Sequence, residues 1–160
     1  EVENLSFEEK AQLDKILTIR PRTIALGIVK NPDGRILVFS GYDKKAGVNF
    51  YRPLGGGIDY GETSEVAMKR EFQEEIGEEV MSLTLLGVVE NIFSFNEKLG
   101  HEIVFGYECE LVNEDLYLQD SIPVIAPGGY GELIWIDLES EMTNGGKFYP
   151  KPMQDLLSKR

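Results

Sequence analysis

The chain has 160 residues, 42% of them hydrophobic, enough to bury a real core as one domain spanning 1–160. Its formal net charge of −12 excludes a non-specific nucleic-acid binder, because no basic patch is available to displace counterions from a phosphate backbone. An anionic substrate must therefore arrive with a metal ion. No apolar run approaches membrane-spanning length and no signal-peptide pattern opens the chain, so a membrane partner is not expected. The single cysteine, Cys109, lies in an alternating apolar run and has no partner for an intrachain disulfide. It reads as a buried strand residue in a reducing, cytoplasmic compartment.

In chain order, Ser6 with Glu9 forms a capping-box signal for a peripheral helix running to about Leu17, within an N-terminal segment 1–20. Arg22 to Lys30 and Arg35 to Ser40 read as two strands, and Asn31-Pro32-Asp33-Gly34 between them predicts a hairpin. Gly41 to Asn49 reads as a loop. Tyr51-Arg52-Pro53-Leu54 then leads into Gly55-Gly56-Gly57, where a backbone carbonyl can approach a cation with no side chain in the way. Thr63 caps a following helix. Two further strands, Ser82 to Phe93 and Glu102 to Leu111, precede a long connection containing Pro123, Pro127, Gly128, Gly129 and Gly131. Leu133 to Asp137 is another strand, and Met153 to Lys159 a short closing helix. There is no repeat or second domain, and this order suits an α/β chain with a mixed sheet between helices.

The helix after Thr63 carries the chemistry. At about 100° per residue, Glu71, Glu74, Glu75 and Glu78 fall within an arc of roughly 100°, while Met68, Phe72 and Ile76 fill the neighbouring stripe. Each like-charged pair three or four residues apart costs an isolated helix about 0.2–0.5 kcal/mol, and the negative end of the helix dipole adds to the penalty. Bound divalent cations would remove both. An acidic, solvated face is the ordinary explanation of such a helix, and here the spacing argues against it.

Gly56, five residues, Glu62, seven residues and then Arg70-Glu71-Phe72-Gln73-Glu74-Glu75-Ile76-Gly77 resembles the signature of the Nudix hydrolases, with seven fixed identities matched. Glu78 departs from it, since the family has an aliphatic residue there that packs behind the helix. The resemblance, strongest over the loop and helix of residues 55–78, implies a Nudix α/β/α sandwich with a mixed β-sheet between helices. It also implies Mg²⁺, with Mn²⁺ as a substitute, held by Glu71, Glu74, Glu75 and the carbonyl of Gly55. Magnesium takes oxygen ligands and keeps waters, leaving room for a substrate phosphate and an attacking water. Glu62 and Arg70 would brace the loop against the helix. The catalytic base is Glu71 or an acidic residue on a distant loop, where Glu132 is the first choice and Asp120 the weaker one.

Around this centre, Tyr51, Phe93 and Phe95 are candidates to stack on a nucleobase, Arg52 is a candidate substrate contact, and Glu102 is a candidate to reach the metal or a substrate hydroxyl. His101, the only histidine, reads as a structural hydrogen-bonding residue. The expected reaction is hydrolysis of a nucleoside diphosphate linked to another moiety, by water attack on phosphorus. The partner is a small nucleotide, and a homodimer is left open. Phe93 and Ser94 stand where ADP-ribose-cleaving members carry a proline, and Phe95 and Asn96 where diadenosine-polyphosphate-cleaving members carry a tyrosine. The alternative is a non-catalytic nucleotide-sensing Nudix domain that regulates a partner; such domains commonly lose motif glutamates, and none is lost here.

Overall fold

The computed structural model describes residues 20–95, 97–127 and 131–158, together with Ser6, Glu8, Glu9 and Gln12. Most of the expected N-terminal helix lies outside the described residues. Its capping box is present: the Ser6 N–H donates to Glu9 Oε2 at 2.8 Å, and the Glu9 N–H to Ser6 Oγ at 3.2 Å.

Nine strands, three α-helices and one 3-10 turn (Glu114–Leu118) follow among the described residues: β1 (Arg22–Val29), β2 (Ile36–Asp43), β3 (Val48–Arg52), β4 (Leu54–Gly57), α1 (Ser64–Ile76), β5 (Val80–Phe95), β6 (Lys98–Leu111), β7 (Ser121–Pro123), β8 (Glu132–Ile136), α2 (Leu138–Thr143), β9 (Lys147–Phe148) and α3 (Lys151–Ser158). They build two mixed sheets, ordered β4-β1-β6-β5 and β7-β8-β2-β3-β9. In the first, β1 runs parallel to β6; in the second, β3 runs parallel to β9.

The Asn31–Gly34 turn forms, with the Gly34 N–H donating to the Asn31 carbonyl at 2.9 Å and Asn31 Oδ1 accepting from the Arg35 N–H at 2.9 Å. The expected hairpin does not. β1 and β2 share only the bridge Lys30↔Ile36 and then part into different sheets. The reason is burial: Ile24, Ala25, Leu26, Ile28 and Val29 are fully buried, so β1 must be a central strand covered on both faces. Ala25 and Val29 meet Ala67, Met68, Phe72 and Ile76 of α1. Ile24, Leu26 and Ile28 meet Tyr51, Phe148 and Met153 on the other side, where Leu156 and Leu157 of α3 also pack. Helices on both sides of sheet strands give the α/β/α layering.

The expected loop from Gly41 to Asn49 is mostly strand. Asp43 closes a tight turn, its Oδ1 accepting from the N–H groups of Lys45 and Ala46, and Gly47 takes φ +69°. Helix α1 starts where Thr63 Oγ1 accepts the Val66 N–H at 3.2 Å and stops at Gly77, left-handed at φ +71°. Glu78 therefore lies beyond the helix, accepting from Asn113 Nδ2, and leaves the acidic arc. Thr63→Ala is expected to cost about 1 kcal/mol, read as a lowered urea midpoint at unchanged slope.

Candidate active site

The glycine-rich strand β4 pairs antiparallel with β1, placing Gly55, Gly56 and Gly57 opposite Leu26, Ala25 and Ile24. Two of these glycines have steric reasons to be there. Gly55 has φ +139°, and a Cβ on it would run into the Ala25 carbonyl; a Cβ on Gly56 would collide with the carboxylate of Glu71. The loop backbone and the first motif glutamate thus lie against each other without a side chain between them.

Arg70 ties this loop to the helix. Its Nε and Nη2 donate to the two oxygens of Glu62 at 2.7 and 3.0 Å, and Nη2 also donates to the Gly57 carbonyl at 2.9 Å. The paired geometry is the strong form of an arginine–carboxylate contact. It lowers the Glu62 carboxyl below its ordinary range and holds the Arg70 guanidinium more firmly charged, the Glu62 hydrogen bond being the largest cause in each. Nη1 donates to Glu71 Oε1 and to Glu74 Oε2, both at 3.2 Å. One guanidinium therefore gathers Glu62, Glu71, Glu74 and the Gly57 carbonyl.

Glu75 is the exception. Its Oε2 is buried without a hydrogen-bond partner. Burial first, and then the charge of Glu71, push its carboxyl up to about 7, with Arg52 and the Gly55 N–H opposing the rise. Among the described residues, no three acidic, histidine or cysteine side chains converge as a formed metal cage. The residues nonetheless fit a hard dication: oxygen donors from one helix, a partnerless buried carboxylate oxygen, and a glycine backbone pressed against Glu71.

The other candidates divide by sheet face. Tyr51 is 3% exposed and its hydroxyl donates to Glu141, so its ring has no free face for a base. Arg52, on the opposite face of β3, lies close enough to Glu75 to act on its charge. Glu102 is half-buried and accepts from Asn91 Nδ2 at 3.1 Å. By alternation along β6 it shares the face of Val104, away from α1. Phe93 lies across Gly100 on the neighbouring strand, and the Phe95 backbone pairs with Lys98. His101 Nε2 is buried without a partner.

Glu132 is exposed at the start of β8, where alternation puts it opposite Leu133, the residue that packs with α1. Asp120 is exposed before β7. The connection between β7 and β8 does touch the glutamate-bearing helix α1, the Ile125 N–H donating to the Glu75 carbonyl at 2.7 Å. The Gly57 carbonyl beneath Arg70 has no signal in the sequence, since a backbone acceptor carries no residue identity.

Sheets, helices and an arginine-braced carboxylate cluster beneath a glycine strand define a phosphate-anhydride hydrolase of the Nudix kind. A family profile described as NUDIX domain matches residues 20–155, and the chain belongs to that family. It is 30% identical over 131 residues to an 8-oxo-dGTP diphosphatase of Haemophilus influenzae, a match covering 79% of this chain and 82% of that protein. A MutT NUDIX hydrolase from Burkholderia pseudomallei superposes with a TM-score of 0.55 at 29% identity, covering 75% of this chain and 85% of that one. A MutT protein from Methanosarcina mazei, with a TM-score of 0.56 at 20% identity over 88% and 94% of the two chains, shares the fold. The protein is a MutT-like Nudix enzyme, a pyrophosphohydrolase acting on nucleoside-diphosphate-type anhydrides. No helix among the described residues is long and apolar enough to cross a membrane.

Proposed function

We propose that this enzyme hydrolyses a nucleoside diphosphate linked to another moiety in a reaction that depends on Mg²⁺ or Mn²⁺. The observation that carries the metal requirement is the buried, partnerless Oε2 of Glu75 beside Glu71, an arrangement with an electrostatic cost that a cation would relieve. Glu71, Glu74, Glu75 and the Gly55 carbonyl would hold the ion, which when bound supplies Lewis-acid polarisation of a phosphoryl oxygen and an acidified water. Glu62 and Arg70 keep the loop and helix in register. Arg52 stands beside Glu75 on the face where phosphate charge must be met.

Glu71 is the base in this reading. It accepts the proton of the attacking water as the water oxygen bonds to phosphorus and the anhydride P–O bond breaks, releasing phosphate or a phosphate ester. The likeness to an 8-oxo-dGTP diphosphatase supports a nucleotide as the substrate, with phosphate as the simplest linked moiety, which makes it a nucleoside triphosphate. The test is product release from nucleoside triphosphates, dinucleoside polyphosphates and nucleotide sugars, each in millimolar Mg²⁺ and in excess chelator. Undiminished turnover in chelator would overturn the metal reading.

Glu132→Gln separates the two bases. With Glu132 exposed and on the strand face opposite Leu133, the rate is expected to stay close to that of the parent. A loss of ~10²-fold or more at unchanged metal affinity would move the base to Glu132.

A further inference from the structure

The strand that leads into the glycine loop presents a second set of residues to the catalytic helix. On β3, Tyr51 faces the core shared with α3, so Phe50 and Arg52 face the opposite side, the side of α1. Arg52 pairs across the sheet with Phe39, which packs against the α1 core. Phe50 lies roughly 7 Å back along the same face, two residues of strand rise away. Its ring lies across Gly41, the residue opposite it on β2, in space that a Cβ on Gly41 would occupy.

On its other side Phe50 pairs with Lys147 of β9. The Tyr149 ring stands 6.1 Å from that of Phe50, tilted by 56°, and is 40% exposed. The Tyr149 N–H donates to the Tyr51 carbonyl at 2.9 Å, which fixes where its ring leaves the backbone. In a chain of net charge −12, one sheet face thus carries two aromatic rings and two cations, Arg52 beside the carboxylates of α1 and Lys147 close enough to Asp43 of the same face to act on its charge. The roughly 7 Å of strand between Arg52 and Phe50 is comparable to the span of one ribose between a phosphate and its base.

We propose that Phe50 and Tyr149 form the platform that takes the nucleobase of the substrate, that Arg52 meets its phosphates, and that Gly41 is a positioning residue that leaves room for the end of the Phe50 ring over β2. The assignment rests on the nucleotide-hydrolase reading above and adds the place where the base is held. Aromatic faces bind any base by stacking, so the platform fixes the depth and direction of the nucleotide more than the identity of its base.

The experiment compares KM for dGTP with KM for abasic deoxyribose triphosphate, in Mg²⁺, for the parent and for Phe50→Leu, Tyr149→Leu and Gly41→Ala. The parent is expected to favour dGTP by ~10-fold or more, the factor expected of one stacked base. In the three variants that ratio falls toward one, with kcat for dGTP moving far less than KM. Tyr149→Phe and Phe50→Tyr keep a ring and should restore the ratio, which a merely structural role would not distinguish from leucine. Thermal melts identify a variant that fails to fold, and the remaining substitutions then decide. An unchanged ratio in folded leucine variants overturns the platform while leaving the hydrolase reading intact. Turnover of neither triphosphate nor any other nucleotide by the parent sinks both.

Discussion

Glu71→Gln is expected to lower turnover by about 10²–10⁴-fold while the protein stays folded. The side chain is only 15% exposed, lies against the Gly56 backbone and accepts from Arg70, so the isosteric amide fits the same space. What it loses is the negative charge and the ability to take a proton. Arg70 keeps its paired contact to Glu62 and its bond to the Gly57 carbonyl, so the loop should remain braced. Removing the Glu71 charge also relieves Glu75, because that charge helps raise the Glu75 carboxyl. The metal-free variant should therefore melt no lower than the parent. Steady-state kinetics with a chelated melt decide: a rate within ten-fold of the parent would remove Glu71 from the chemistry, and a lower melting temperature would make it a structural residue.

Helix α1 was legible in the sequence because its signal is local. Thr63, the apolar stripe Met68-Phe72-Ile76 and Gly77 mark its start, buried face and end, and the glutamates follow from the same periodicity. Glu78 was misplaced by extending that periodicity one residue past a glycine that ends the helix in the left-handed region. The two-sheet arrangement was not legible. The turn residues Asn31-Pro32-Asp33-Gly34 specify a reversal of the chain, and nothing in them specifies that β2 then pairs with β3 and β8, up to 100 residues apart, instead of with β1. Only the demand of a strand buried on both faces decides it.

The same limit governs the sheet face proposed to hold the nucleotide. Strand alternation shows that Tyr51 lies opposite Phe50 and Arg52, yet which side is interior depends on what packs there, and a shift of one residue exchanges the two. The sequence leaves Tyr51 open between stacking on a base and filling the core; the sheet turns it into the α3 core and turns Phe50 and Arg52 toward the carboxylates. Tyr149 reaches the same place through a parallel pairing of β9 with β3, a contact between segments with no shared local pattern.

Glu75→Gln should raise the stability of the metal-free protein at pH 8 while its activity collapses. Burial and the Glu71 charge lift the Glu75 carboxyl from its usual 4.5 to about 7, so the folded state holds this proton more tightly than the unfolded chain. A group raised in this way contributes stability that is fully present below pH 4.5 and is lost as the pH rises through 7. At pH 8 the parent therefore carries a buried negative charge at full cost, and the amide carries none. The advantage of the variant is about 1–2 kcal/mol, smaller than the whole shift would give because solvent and Arg52 still screen the carboxylate. It should shrink as the pH falls from 8 to 4.5 and vanish below, the parent recovering its proton. Mg²⁺ should reverse the order at pH 8. A ligand that binds only the folded state stabilises in proportion to its affinity, and the variant has lost one of the proposed ligands. Melts of both proteins in chelator and in millimolar Mg²⁺, across this pH range, read every step. A chelated variant that melts below the parent at pH 8, or equal gains from Mg²⁺ in both, would show that Glu75 is a structural residue and not a metal ligand.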